Sequence, residues 1–298
     1  MKYTVLLFLL VGLTACTTAQ VAPAPLPTSL PTSTSIPIQT WMGQTPPGSE
    51  PVPFGVGFLP ASFHSSVTFA PDGSLAFWGA TYSAAKIFTS RMENGSWTKP
   101  TIINFTEEMR SYRDPFLSPD GLRLYFISED PLPGSQTSGK ENIWMMEKEG
   151  DGWGKPYPLP ESINALDLHW TISVANNYNL YFSANSADLY LSRYLDGKYT
   201  DPILLDTPVS TESLEFTPNI APDESYLLFS RLASSESQSY LYITYSLGSG
   251  WSEPQKIENI YYCISPIVTP DRKYVIYLSS PHTLEWRDTS FIDALRPD

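Results

Sequence analysis

Cysteine is almost missing from this chain: Cys16 and Cys263 are the only two among 298 residues. A disulfide framework of the kind that staples small secreted domains is therefore excluded. Histidine is nearly as scarce, with three residues. There is no His-x-x-x-His or Cys-x-x-Cys spacing, so no local motif suggests a metal site. Charge is sparse and one-sided, with 18 Lys and Arg against 31 Asp and Glu and a formal net charge of -13. Such a surface repels phosphate backbones, and nucleic acid is not an expected partner. There is no Gly-x-Ser-x-Gly elbow, phosphate-cradling glycine loop or dinucleotide fingerprint, so no catalytic motif or cofactor is expected. The apolar run from Val5 to Leu13 is too short to cross a bilayer.

Aromatics make up 13% of the residues, and there are 28 prolines. That composition suits a turn-rich, aromatic-packed β protein. At the N-terminus, "MKYTVLLFLLVGLTAC" sets one Lys before the short apolar run, in the layout of a secretory signal. Its end, "LTAC", resembles the lipobox of bacterial lipoproteins, with Leu13 and Ala15 in their places. The resemblance implies cleavage of residues 1–15 and lipidation of Cys16, giving an extracytoplasmic protein of the bacterial cell envelope anchored to a membrane. Beyond Cys16 the text is rich in Pro, Thr and Ser, carries no charge up to Pro47 and has no period of 2 or 3.6. It reads as an extended tether, residues 16–50, leading to a folded domain at 51–298. Cys263, in "IYYCISPIV", is expected to be a small buried hydrophobe.

The folded part repeats itself. "HSSVTFAPDGSLAFWGA", "YRDPFLSPDGLRLYFIS", "LHWTISVANNYNLYFSA", "EFTPNIAPDESYLLFSR" and "CISPIVTPDRKYVIYLS" align on Pro71, Pro119, Ala175, Pro222 and Pro270, which lie 48, 56, 47 and 48 residues apart. The longest interval contains "EDPLPGSQTSGK", which reads as a surface loop. In each copy an apolar stretch meets Pro-Asp-Gly or an equivalent, then an alternating aromatic and aliphatic stretch follows. Pro fixes φ, Asp caps the turn, and Gly or Asn accepts positive φ, which is hairpin chemistry. A second strand pair follows copies one to four, with an aromatic at one register: Trp97, Trp153, Tyr199 and Trp251. These four are expected to pack between repeats. Four strands per unit of this length predict propeller blades. Copy five runs out after its third strand. Residues near Val52 to Leu59 are expected to supply the fourth and close the ring.

The phrases "SPDGLRLYFIS", "APDESYLLFS" and "NIWMMEKEGDGWGKPYPLPESIN" resemble the WD40-like β-propeller repeats with a Pro-Asp core, which also occur in the propeller domain of the translocation protein TolB. The resemblance covers about Trp41 to Pro297. It implies a single all-β propeller of four-stranded blades, five by the count of copies, with six as the alternative. It implies no activity, since this fold hosts binding proteins and enzymes alike.

Repetition separates structural residues from candidate site residues. Asp72, Asp120, Asp223 and Asp271 recur in every complete turn and read as turn caps. The residues just upstream of each inner strand differ between copies: His64 and Ser65, then Tyr112, Arg113 and Asp114, then His169 and Trp170, then Glu215 and Thr217, then Ser265. Of these, His64, Arg113, Asp114, His169, Trp170 and Glu215 are the candidate ligand-binding set at one mouth of the channel. An envelope protein, a glycan or a small molecule would suit them. The alternative is a carbohydrate-active hydrolase with Asp114 and Glu215 as its carboxylates.

Overall fold

The turns explain why each repeat folds back on itself. In a computed structural model describing residues 41–59, 63–81, 85–104, 111–135, 139–280 and 282–297, the repeated aspartates cap their turns. Asp72 Oδ1 accepts from Ser74 N at 2.9 Å, and Asp120 Oδ1 from Leu122 N at 3.0 Å. Asp223 Oδ1 accepts from Ser225 N at 3.1 Å, and Asp271 Oδ1 from Lys273 N at 3.2 Å. In the third copy Asn177 Oδ1 does the same for Asn179 N at 3.0 Å. Each is an Asx-turn, in which a side-chain oxygen replaces a backbone acceptor.

The residue after each cap takes positive φ, but only two of the five are glycine: Gly73 (69°), Gly121 (73°), Tyr178 (63°), Glu224 (57°) and Arg272 (61°). The expectation of Gly or Asn at this position therefore fails in three repeats. The side chains of those three supply the reason. Tyr178 donates its hydroxyl to Asp120, Glu224 accepts from Asn177 Nδ2 at 2.7 Å and Tyr181 Oη at 2.7 Å, and Arg272 lies 3.4 Å from Asp223. Each reaches the preceding repeat. Gly121 makes the opposite choice, since a Cβ there would stand 2.9 Å from Pro71 Cδ.

The hairpins extend into five antiparallel blades. Blade 1 comprises Phe63–Phe69, Leu75–Thr81, Ala85–Glu93 and Thr101–Ile102. Blade 2 comprises Arg113–Leu117, Arg123–Ser128, Asn142–Glu149 and Tyr157–Pro158. Blade 3 comprises Leu168–Val174, Leu180–Ala184, Asp188–Ser192 and Ile203–Leu204. Blade 4 comprises Leu214–Ile220, Tyr226–Leu232, Tyr240–Tyr245 and Gln255–Tyr261. Blade 5 has Ile264–Val268, Tyr274–Ser280 and Thr283–Asp288, and its fourth strand is Val52–Pro53 from the start of the domain, with Val52 opposite Trp286. The inner strands touch in order around the ring, and that of blade 5 touches that of blade 1.

The apolar alternation decides the packing. Second strands are buried on both faces, and successive side chains point to opposite neighbours. Leu124 and Phe126 pack towards blade 1, while Tyr125 packs towards blade 3. Leu227 and Phe229 face blade 3, while Tyr226 and Leu228 face blade 5. Five separate apolar clusters result, one at each junction. Trp97, Trp153, Tyr199 and Trp251 each join the cluster shared with the preceding blade. Cys263 is fully buried in the cluster between blades 4 and 5, and burial pushes its thiol pKa well up.

The folded body begins further towards the N-terminus than Val52. Trp41, 2% exposed, stacks edge-on against Phe69 with ring centroids 4.7 Å apart. Phe54 N donates to Leu284 O at 2.8 Å and Asp288 N to Gly48 O at 2.9 Å. Residues 41–54 thus belong to the junction between blades 5 and 1. Truncating a buried Trp costs about 3–5 kcal/mol. Trp41→Ala is therefore expected to lower the urea unfolding free energy by that amount, while deletion of 17–40 leaves it unchanged; a wild-type midpoint for Trp41→Ala would show that closure does not depend on this segment.

Candidate functional site

The channel has two differently built ends. At the first, inner strands enter with a register shift in every blade. In four blades the residue five positions before the anchor takes left-handed φ: Asp114 (53°), Trp170 (53°), Thr217 (49°) and Ser265 (54°). Bulges re-aim side chains, and non-glycine residues persist in this conformation only where the surroundings hold them. Two of the candidate residues, Asp114 and Trp170, are thus bulge residues. Nothing in the text of the strands signals the bulge, because none of the four is a glycine.

Several candidates at this end are engaged within the protein. Arg113, 8% exposed, donates Nη2 to Glu129 Oε1 at 2.8 Å and also to Glu141, with its Nε 3.8 Å from Asp114 Oδ2. Burial works against its charge, but the Glu129 hydrogen bond and the Asp114 and Glu141 charges outweigh it and raise the guanidinium pKa. Glu215 is fully buried and accepts from Arg231 Nε at 2.8 Å and from Thr211 Oγ1 at 2.6 Å. The structure thus joins Arg113 with Asp114 in blade 2 and places Glu215 in a separate ion pair in blade 4. Trp170 is 39% exposed and meets Phe216 edge-on at 4.9 Å. The side chains of His64 and His169 lie outside the described residues.

The other end carries a cavity of about 350 Å³ where the five hairpin turns converge, four of them Pro-Asp and that of blade 3 Ala-Asn-Asn. Its walls are Phe69, Phe116, Val174, Ile220, Ile267 and Val268, and its rim is Pro71, Pro119, Pro222, Pro270 and, in blade 3, Asn176. Thr68, Asn219 and the Asp223–Arg272 pair add polar groups. Just behind this wall, side chains join adjacent inner strands. Thr68 Oγ1 accepts from Leu117 N at 3.2 Å, Ser173 Oγ from Ile220 N at 2.9 Å and Asn219 Oδ1 from Val268 N at 3.2 Å. Deeper in the ring, Ser265 Oγ accepts from Ser66 N at 3.1 Å. Sequence reasoning passed over this end because it read the Pro-Asp turns as structure alone. The signal available was the apolar residue that recurs just before each turn, as Ile220 in "NIAP" and Val268 in "IVTP".

Among the described residues, no group of three or more His, Cys, Asp and Glu is arranged to hold a metal ion. No described helix is long and apolar enough to cross a membrane.

No family model matches the chain, and no curated protein does. Among solved structures, an endo-arabinase from Bacteroides thetaiotaomicron superposes with a TM-score of 0.51 at 13% identity, covering 80% of this chain and 95% of that one. That likeness shows the fold. A chain described as TolB from Agrobacterium tumefaciens gives 0.48 at 17% identity, covering 74% of this chain and 70% of the other. TolB from Acinetobacter baumannii gives 0.49 at 12% identity, covering 76% of this chain and 54% of its own length. This chain thus spans about half of the Acinetobacter protein.

The turn carboxylates set a pH dependence. Burial opposes ionisation of Asp120, but hydrogen bonds from Ser118, Tyr178 and the Leu122 amide outweigh it and hold its pKa below the ordinary value. For Asp223 burial is likewise outweighed, by Ser225 and by the Arg272 charge. Because folding lowers both values, this stability is present above the unfolded aspartate pKa of about 3.9 and is lost as the pH falls through the lower folded values. Urea midpoints measured from pH 5 down to pH 2 should fall for the wild type and fall less steeply for Asp120→Asn and Asp223→Asn. Parallel curves would refute the assignment.

Proposed function

We propose that this protein is a binding module: an extracytoplasmic propeller, held to a membrane through lipidated Cys16, that captures a small ligand with an apolar body and a polar end in the Pro-Asp mouth of its channel. The observation that carries this reading is the convergence of all five blades on one cavity of about 350 Å³. That size lies at the lower end of the range for small-molecule sites, about 300–1,000 Å³, and apolar walls with a few fixed polar groups are their usual construction. Asn219 uses its carbonyl oxygen on Val268 N, so its amide hydrogens are the natural donors to a ligand. The Asp223–Arg272 pair sits half-exposed at the rim, where such pairs are worth about 0–1 kcal/mol. A ligand carboxylate or hydroxyl could compete with it at little cost. Hydrolysis is the weaker reading, because a catalytic carboxylate must reach the reacting oxygen. Glu215 is fully buried and already bonded to Arg231 and Thr211.

A second reading places the ligand at the bulged end, and the exposed Trp170 in its left-handed conformation favours it. Aromatic faces of this kind serve ligands that stack.

A metabolite and glycan thermal-shift screen on the mature protein separates the two. Saturation at about 100 times Kd stabilises a protein by about 2.7 kcal/mol, well within detection. Asn176→Trp, an exposed rim substitution, is expected to weaken a ligand at the Pro-Asp mouth at least tenfold and to leave Trp170→Ala neutral. The reverse pattern would place the site at the bulged end. For the anchor, the wild type should partition into the detergent phase of a Triton X-114 extraction and Cys16→Ser into the aqueous phase. An aqueous wild type would overturn lipidation.

A further inference from the structure

A second cavity lies away from both channel mouths. It occupies about 290 Å³ between the last strand of blade 4, the third strand of blade 5 and the short C-terminal helix Ser290–Ala294. Arg287 projects into it and is 7% exposed. Its Nη1 donates to Glu258 O at 3.2 Å, and its guanidinium lies 5.2 Å from the centre of the Phe291 ring. Its Nε is buried and makes no hydrogen bond. No carboxylate among the described residues pairs with it.

This is unlike the buried Arg113 and the half-buried Arg231. Arg113 has Glu129 and Glu141, and Arg231 has Glu215. Buried charges are ordinarily paired, because desolvation without a partner costs several kcal/mol. Glu50 and Glu258 line the cavity, but neither forms an ion pair with Arg287. Lys256 also lines the cavity, but its charge is engaged by Glu236 at 3.0 Å.

We infer that this cavity is a binding site for a monocarboxylate with a compact apolar tail. Nη1 is held by Glu258 O and Nε is buried, so Nη2 is the guanidinium donor left for a carboxylate, in a charge-assisted hydrogen bond. Ile257, Phe291, Ala294 and Leu295 form the apolar wall that would take the tail. Glu50 and Glu258 stand at the exposed rim and repel a second negative charge, which disfavours phosphate and dicarboxylates. The same chemistry is offered by a free short-chain acid and by the C-terminal residue of a peptide ending in Leu or Val.

The test is calorimetric titration of the full mature protein with 4-methylvalerate, with 4-methylvaleramide, with inorganic phosphate and with a tripeptide ending in Leu beside its C-terminal amide. A ligand of this size is expected to bind with a Kd on the order of 1 mM or tighter. The acid should bind at least tenfold more tightly than its amide and than phosphate. Binding of the tripeptide acid as well would assign the peptide source, and its failure the free acid. Arg287→Met should abolish the preference for the acid. Should that variant fail to fold, Glu50→Gln, an exposed rim change, should strengthen acid binding two- to fivefold. Asn176→Trp should leave this binding untouched, which keeps the outcome separate from that of the channel mouth. Equal binding of acid and amide, tighter binding of phosphate, or no binding by either acid would overturn the proposal.

Discussion

A strand buried on both faces cannot end a stack. Every second strand here carries large apolar side chains to both sides, as Leu124, Tyr125 and Phe126 do. Each blade therefore needs a neighbour on either hand, and only a closed ring gives every blade two. Burying one such side chain stabilises by about 1.5–3 kcal/mol, so an open end would forgo several of these contributions together. The seam between blades 5 and 1 is where Val52–Pro53 pairs with Thr283–Asp288 to close the ring. It is also the most aromatic junction, with Trp41, Phe54, Phe69, Trp78 and Trp286 in one cluster. Phe54 meets Trp286 at 5.1 Å, and Tyr274 meets the same indole at 5.1 Å. Closure by one short strand pair would be weak; closure by a layer of indoles is not.

The same constraint shows what could be read in the sequence. Repeat number, turn position and the borrowed fourth strand were all legible, because each follows from local chemistry recurring at a fixed interval. The turn caps were legible for the same reason, and all five behave alike. The left-handed residues Tyr178, Glu224 and Arg272 were not, because their justification is not local. Each accepts an unfavourable backbone in order to contact the turn of the preceding blade, and that neighbour lies about one repeat away in sequence. Trp41 was legible only through the family resemblance, which begins near it; by composition it continues a long uncharged, proline-rich stretch, yet its ring packs on Phe69.

The candidate site was legible only as a location. Looking where the copies disagree led to the bulged end, and the residues there are indeed special in backbone. Disagreement between copies, however, also marks places where each blade solves a private charge problem, as Arg113 does with Glu129 and Glu141 and Glu215 does with Arg231. Ion pairs between side chains 16 to 28 residues apart leave no pattern in a repeat alignment. The Pro-Asp mouth was overlooked for the complementary reason. Its residues agree too well between copies, and agreement was taken as a sign of structure alone.

The residues at that mouth that hold the fold are the ones the proposed ligand would meet. An apolar residue before the turn seats each inner strand against its neighbours, and five such residues placed around an axis, Phe69, Leu117, Val174, Ile220 and Val268, enclose an apolar funnel. The ring therefore produces a cavity before any selection for a ligand. What distinguishes a binding cavity from a geometric by-product is a polar group that the fold itself does not require. Asn219 meets that criterion in part. Its carbonyl oxygen holds Val268 N, a task that Thr68 and Ser173 perform at other junctions with a hydroxyl. The amide at blade 4 thus brings an extra pair of donors that the clasp does not use, on the wall of the funnel and beside the Asp223–Arg272 pair. By the same criterion Arg287 stands out at the other cavity, where a buried cation forms no ion pair with any described carboxylate.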